Sequence, residues 1–276
     1  MMFKKNIYQV WFQGCKNITQ PQFIENMKNW KSLNPDWNYF CLNDSDLRKM
    51  CYSYSDKCGK AYDMAQYMHA KIDLGRVVSL YVNGGIMVDM DMYILRSLNS
   101  LPEIHDFINT KTHKLGVSKL DLSWFESLVY SGEFHSYNNA VIISNQKNPL
   151  LKKWIDSIIN NIFNCSKKKY TNSGLYIFRT SGPNLFSKCI KTYKNESELV
   201  TFDNTTFEPC ETFGKCDIKN NTISIHRFEL SWVPKEYKYL MKFYFQYIRD
   251  NSKIGLGILL VLIVVYFTKK NKLIKK

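Results

Sequence analysis

Apolar and polar positions along the first hundred residues switch repeatedly between a strand period and a helix period. The run Ile7-Tyr8-Gln9-Val10-Trp11-Phe12 is almost continuously apolar and β-prone, which predicts a buried first strand over 6–12. Helical spacing follows over 21–32, then a strand at Tyr39-Phe40-Cys41-Leu42, then a helix capped at Asp44 or Ser45. A long helical pattern covers about 60–82. It stops at Asn83-Gly84-Gly85, a glycine exit, with strand-like Ile86-Met87-Val88 behind it. Strands alternating with helices predict an α/β layer fold with a mostly parallel central sheet. Ligands in such folds sit at the carboxyl ends of strands.

Beyond residue 100 the periodicity thins. Asn139 to Ser144 reads as a strand and 149–163 as a helix. A Ser181-Gly182-Pro183 turn opens a helix near 183–193, and 199–225 is strand and loop, with Thr222-Ile223-Ser224-Ile225 the clearest strand. A helix follows Pro234. The segment 254–268, IGLGILLVLIVVYFT, is the one uncharged apolar run of membrane type. At about 1.5 Å per residue it reaches about 22 Å, against a hydrocarbon core of roughly 30 Å. Lys253 and Lys269 extend that reach by snorkelling. No polar face interrupts the run. The expectation is a folded domain over 1–250 on the cytosolic side, a single-pass C-terminal anchor over 254–268, and a basic tail over 269–276. A buried C-terminal helix is the competing reading.

Composition narrows the class. With 276 residues, 45% hydrophobic and 15% aromatic, the chain can fill one domain's core, which excludes a disordered chain, a collagen and a coiled coil. The formal charge of +14 includes six lysines within 253–276, so the rest carries +8. That is an ordinary basic surface, and no nucleic-acid partner is needed to account for it. Eight cysteines form a pairable number but show no CxxC and no zinc spacing. Reduced thiols in a cytosol-facing domain are the expectation, with paired disulfides as the alternative.

The long helix is apolar on most sides but carries one polar line: Gln66, His69, Asp73 and Arg76, at steps of three, four and three. A carboxylate and a guanidinium on an otherwise buried helix must pair with each other or hold a polar ligand. Gly75 lies among them at a cost of about 1 kcal/mol against alanine, which points to a close approach there. Thirteen residues past Arg76 comes Asp89-Met90-Asp91, just beyond a strand. Two carboxylates so spaced can face one hard cation and the phosphates bound to it. A lone DxD occurs by chance about once in a chain of this length. Its position after a buried strand and a Gly-Gly turn raises its weight.

Read together, Ala70 to Asp91, AKIDLGRVVSLYVNGGIMVDMD, resembles the DXD-containing sugar-binding region of the glycosyltransferases that include yeast initiating mannosyltransferases and clostridial glucosylating toxins. Asp73, Arg76, Gly84, Gly85, Asp89 and Asp91 fill the matching positions. The likeness extends from the opening strand at Ile7 through the Trp30…Asn34-Pro35 segment, Asn139-Ala140, Asn148-Pro149 and Ser181-Gly182-Pro183 to His226 and Ser231-Trp232. Two positions depart from it. Met87 stands where an aromatic residue is usual, and Tyr8 where histidine often precedes glutamine.

The resemblance implies a GT-A-like nucleotide-sugar-binding fold and a metal-dependent, retaining hexosyltransferase. Mn²⁺ or Mg²⁺ would be held by Asp91, Asp89 and His226. Asp73, Arg76, Asp89 and Asp91 would form the catalytic set. Trp11, Asp73, Arg76, Asn139, Ser231 and Trp232 would bind the donor, a UDP- or GDP-hexose. The acceptor would be a glycan, protein or lipid, met by loops within 105–137. Two other readings use the same sequence: a sugar-nucleotide hydrolase working with the same carboxylates, and a non-enzymatic, membrane-anchored basic binding protein.

Overall fold

The structure, a computed structural model, describes residues 3–110, 112–121, 135–166, 170, 172–193, 199–210, 215–229 and 235–243. Its centre is a six-stranded sheet in the order β2-β1-β3-β6-β5-β7. The strands are β1 (Asn6–Val10), β2 (Asn38–Leu42), β3 (Gly85–Val88), β5 (Leu115–Asp121), β6 (His135–Ser144) and β7 (Leu199–Phe202). β1 pairs in parallel with β2 and β3, and β5 with β7, while β6 runs against both β3 and β5. Five strands therefore point one way and β6 alone is reversed, so the expected mostly parallel α/β sheet is present. A separate ribbon joins β4 (Met92–Ile94) to β8 (Ser224–His226), antiparallel.

Side chains alternate across the sheet, as a period of two requires. Tyr8, Met87 and Ile142 enter one core cluster, while Ile7, Ile86, Val88, Val141 and Ile143 enter another. The first is covered by α2 (Asp44–Tyr54), α3 (Asp56–Met64), α4 (Met68–Asn83), α6 (Pro149–Cys165), α7 (Ser173–Thr180) and α8 (Pro183–Lys191). The second is covered by α1 (Pro21–Leu33), α5 (Pro102–Asn109) and the short α9 (Asn204–Phe207). Local signals set the helix ends. Pro21 and Pro149 open their helices, and Asn43 and Asp46 form a reciprocal capping box on α2. Gly84, at φ +66, closes α4. Gly85 follows at φ +118, and a Cβ there would lie 2.5 Å from the Asn6 carbonyl oxygen, so only glycine lets β3 start beside β1.

Several expectations are corrected. The helical pattern over 60–82 is two helices, broken at 65–67, because Gln66 and Tyr67 bond to other parts of the chain instead of continuing the ladder. The Gln66 backbone amide donates to the Tyr176 hydroxyl oxygen at 3.2 Å, and the Tyr67 hydroxyl donates to the Tyr170 carbonyl at 2.7 Å. The first strand ends at Val10, and the last one spans 224–226 rather than 222–225. α5 and β5 had no sequence signal of their own. The cysteines are not all reduced: Cys15 is bonded to Cys41 and Cys210 to Cys216, since adjacent chain segments bring each pair together. Cys51, Cys58, Cys165 and Cys189 remain free thiols. A helix does follow Pro234, α10 (Lys235–Phe243). Among the described residues no helix is long and apolar enough to cross a membrane. The boundary near 250, the expected anchor at 254–268 and the basic tail lie outside the described residues.

Candidate active site

The carboxyl ends of β1 and β3 lie side by side, and Trp11 and the Asp89–Asp91 turn emerge there. The turn is tied down at every carbonyl. Gln9 Nε2 donates to the Asp89 oxygen at 3.1 Å, and Gln9 is itself fixed by the Tyr39 hydroxyl at 2.6 Å. Asn26 Nδ2 donates to the carbonyls of Met90 (3.0 Å) and Met92 (2.9 Å), and Trp30 Nε1 also donates to Met92 (2.8 Å). The Arg227 amide donates to the Asp91 carbonyl at 3.0 Å. A turn whose backbone is satisfied from all sides can present its two carboxylates in a fixed geometry.

The β4–β8 ribbon brings in the third group. Met92 stands opposite His226, which sets the imidazole beside Asp91, with Nε2 3.4 Å from Asp91 Oδ2. Asp89, Asp91 and His226 each offer one ligand atom, and these lie within 4.8 Å of one another. Two carboxylate oxygens and an imidazole nitrogen suit a divalent cation of the Mn²⁺ type, so the residues present fit a metal. Side-chain exposure falls from 32% at Asp89 through 15% at Asp91 to 10% at His226, so the open side of the cluster is at Asp89.

Arg76, on α4, reaches the same point. Its buried guanidinium pairs with Asp89 and, at 3.1 Å, with Asp73, whose other oxygen accepts from the Ser181 hydroxyl at 2.7 Å. Of the two alternatives read from the sequence, the Asp73–Arg76 pair exists, and Arg76 Nε is buried with no hydrogen-bond partner among the described residues. His69 shares α4 with this pair. Gln66 does not, because the helix begins after it.

Electrostatics follow from this crowding. Burial, with the Asp91 charge beside it, pushes the Asp89 carboxyl up to about 6 against the pull of Arg76. Burial likewise raises Asp73, more than Arg76 and Ser181 lower it. Burial opposes the charge on Arg76, but Asp89 and Asp73 outweigh it and hold the guanidinium charged. At Asp91 burial is outweighed by hydrogen bonds from His226 and the Glu229 amide (2.9 Å), which lower its carboxyl. Burial would lower His226, but Asp91 and Glu208 lift it to about 10.

The remaining expected residues divide. Trp11 is half-buried, tilted against Phe23 with ring centroids 5.5 Å apart, in a small cluster that includes Met90 between the two aspartates. Asn139 is buried on β6, next to the Ala140 carbonyl that accepts from the Asp89 amide at 2.9 Å. Ser231, Trp232 and, within the expected acceptor region 105–137, residues 111 and 122–134 lie outside the described residues. Sequence reading missed Asn26 and Glu208, which have no spacing signal, and took Gln9 and Ser181 as parts of a strand and a turn without a role in the site.

Residues 20–108 match the family described as the glycosyltransferase sugar-binding region containing DXD motif. The chain is 24% identical over 209 residues to the initiation-specific alpha-1,6-mannosyltransferase of Candida albicans, covering 70% of this chain and 54% of that protein. It thus spans about half the length of that relative. It is 25% identical over 240 residues to an uncharacterized glycosyltransferase of Acanthamoeba polyphaga mimivirus, covering 84% and 85%. Among solved structures, the PaToxG glycosyltransferase superposes with a TM-score of 0.47 at 18% identity, covering 68% of this chain and 69% of that one. The family match and both curated relatives support a glycosyltransferase.

Proposed function

We propose that this glycosyltransferase moves a hexose from a nucleoside diphosphate sugar to a hydroxyl of a glycan, protein or lipid, with retention at the anomeric carbon and a GT-A-like site. The observation that carries the reading is the convergence of Asp89, Asp91 and His226 beside a buried arginine with a free donor, at the carboxyl end of β3. In the reaction the bond from the anomeric carbon to the diphosphate oxygen breaks, and negative charge collects on that oxygen. Mn²⁺ or Mg²⁺, when bound by the three ligands, supplies Lewis-acid neutralisation of that charge.

The chain's own residues do the rest. Arg76 offers a fixed positive charge and an unused N–H to the donor, which costs no reorganisation when charge develops. Asp73 and Asp89 hold that guanidinium in place and offer carboxylate oxygens to sugar or ribose hydroxyls. Trp11 gives the nucleobase an aromatic face, and Asn139 an amide to the sugar. Ser231 and Trp232 are assigned to the diphosphate by the resemblance alone. We assign 1–250 to the transferase domain, 254–268 to a membrane anchor and 269–276 to its basic flank.

The test uses the full chain in detergent. Release of nucleoside diphosphate is followed from a panel of UDP- and GDP-hexoses, with and without Mn²⁺. One donor should give metal-dependent release, and Asp91→Ala should lower it by about 10²-fold or more. No release and no donor binding across the panel would end the transferase reading. The same preparation should stay with salt-washed membranes until detergent is added.

A further inference from the structure

Glu208 is a costly residue to bury, and the proposed reaction gives it no role. It follows α9 directly, its side chain is fully buried, and its Oε1 has no hydrogen-bond partner among the described residues. Such a carboxylate is a poor choice for stability, because a buried charge with half its acceptor capacity unused is costly. Its other oxygen does have partners. Oε2 accepts from Asn138 Nδ2 and faces His226 Nδ1 at 3.2 Å. A carboxylate can only accept there, so Nδ1 must carry the hydrogen. Asn138 is oriented in turn, because its Oδ1 accepts the Ala140 amide at 3.1 Å.

The imidazole is held on its face as well. Phe228 stacks on His226 with centroids 3.9 Å apart and 27° between planes. Phe228 does this from a left-handed backbone, φ +51, a conformation that a bulky residue rarely adopts and that neighbouring structure must enforce. The segment bearing Glu208 is itself pinned to β8. The Ile223 amide donates to Thr206 at 2.7 Å, and the Ser224 hydroxyl donates to Phe207 at 3.0 Å.

Resting on the transferase reading, we propose that Glu208 is a positioning residue: it locks His226 in the tautomer and orientation that turn Nε2 toward Asp91 and the divalent cation. Histidines that ligate metals commonly donate their other N–H to such a partner, and removing it typically costs 10–100-fold in metal affinity. Asn138, Glu208 and His226 then form one line from the sheet to the metal, built from β6, α9 and β8.

The test is Mn²⁺ binding to the full chain, read by electron paramagnetic resonance without donor or acceptor. Glu208→Ala should weaken Mn²⁺ 10–100-fold. Glu208→Gln, whose single carbonyl can still accept from Nδ1, should restore most of the affinity. On a His226→Ala background Glu208→Ala should add no further loss, because it acts through the histidine. Additive losses, or wild-type affinity in Glu208→Ala, would overturn the inference. A wild-type chain that binds no Mn²⁺ would overturn the reading beneath it, which separates the two failures. Should Glu208→Ala not fold, ¹⁵N NMR of the wild-type chain with Mg²⁺ decides: Nδ1 of His226 should carry the proton, and an unprotonated Nδ1 would overturn the inference.

Discussion

Asn26 grips the turn that carries the two aspartates through its backbone carbonyls. It is fully buried, and its one amide nitrogen serves the carbonyls of both Met90 and Met92. Asn26→Ala would leave the Met90 carbonyl without its partner, at a cost of about 1–3 kcal/mol. The expected outcome is a lower thermal midpoint together with weaker Mn²⁺ binding, because the turn that spaces Asp89 and Asp91 loosens. Unchanged Mn²⁺ affinity in a destabilised Asn26→Ala would show that the turn needs no such support. Charge made part of this site legible in the sequence. Asp73, Arg76, Asp89 and Asp91 stand out because carboxylates and a guanidinium interrupt apolar runs. Asn26, Gln9 and Glu208 do not stand out, because their partners lie 64, 80 and 18 residues away and only the tertiary register brings them together. The two positions that depart from the resemblance stated for the sequence, Tyr8 and Met87, are register partners on β1 and β3, both buried in the same cluster, so both serve packing there.

Helices α2 and α4 meet at Gly75, where sequence reasoning expected a close approach. A Cβ added there would lie 2.6 Å from the Cβ of Leu47, which is fully buried on α2 and cannot swing aside. Two effects oppose each other in Gly75→Ala. Helix propensity favours alanine by about 1 kcal/mol, and overpacking costs about 1–3 kcal/mol. The clash involves a backbone-attached carbon rather than a flexible tip, so overpacking wins and pushes the helices apart. Thermal melts of Gly75→Ala should show a midpoint lowered by several degrees, and a raised midpoint would mean that propensity decides instead. Most of the elements before residue 100 were readable, because apolar periodicity and signals such as the glycine exit of α4 act within a few residues, although the cap of α2 is Asn43 rather than the expected Asp44 or Ser45. The single long helix was misread for the opposite reason: Gln66 and Tyr67 are pulled out of the ladder by partners near residues 170–176. β5 and α5 have weak local patterns and depend on the sheet and core that receive them.

The chain as a whole raises a question that its cysteines can answer. The expected cytosolic side for residues 1–250 came from reading 254–268 as a C-terminal anchor, and reduced thiols were expected to go with it. Two of the four possible pairs are instead bonded, Cys15–Cys41 and Cys210–Cys216. Cys15 lies in the loop after β1 with Trp11, and Cys41 lies on β2, so this bridge ties the segment proposed to meet the nucleobase to the sheet. Closing 26 residues of chain stabilises the fold by about 3.5 kcal/mol on a chain-entropy account. Such bridges persist in oxidising compartments and are rare where glutathione keeps thiols reduced. The two bonds therefore favour an oxidising compartment for the domain. Alkylation of the chain, denatured without reductant and weighed by mass spectrometry, should modify Cys51, Cys58, Cys165 and Cys189 and leave the other four untouched. Eight modified cysteines would return the domain to a reducing compartment and leave the Trp11 loop held only by packing. In that case the donor's KM should be indifferent to reductant. With the bridges present, reductant should raise it.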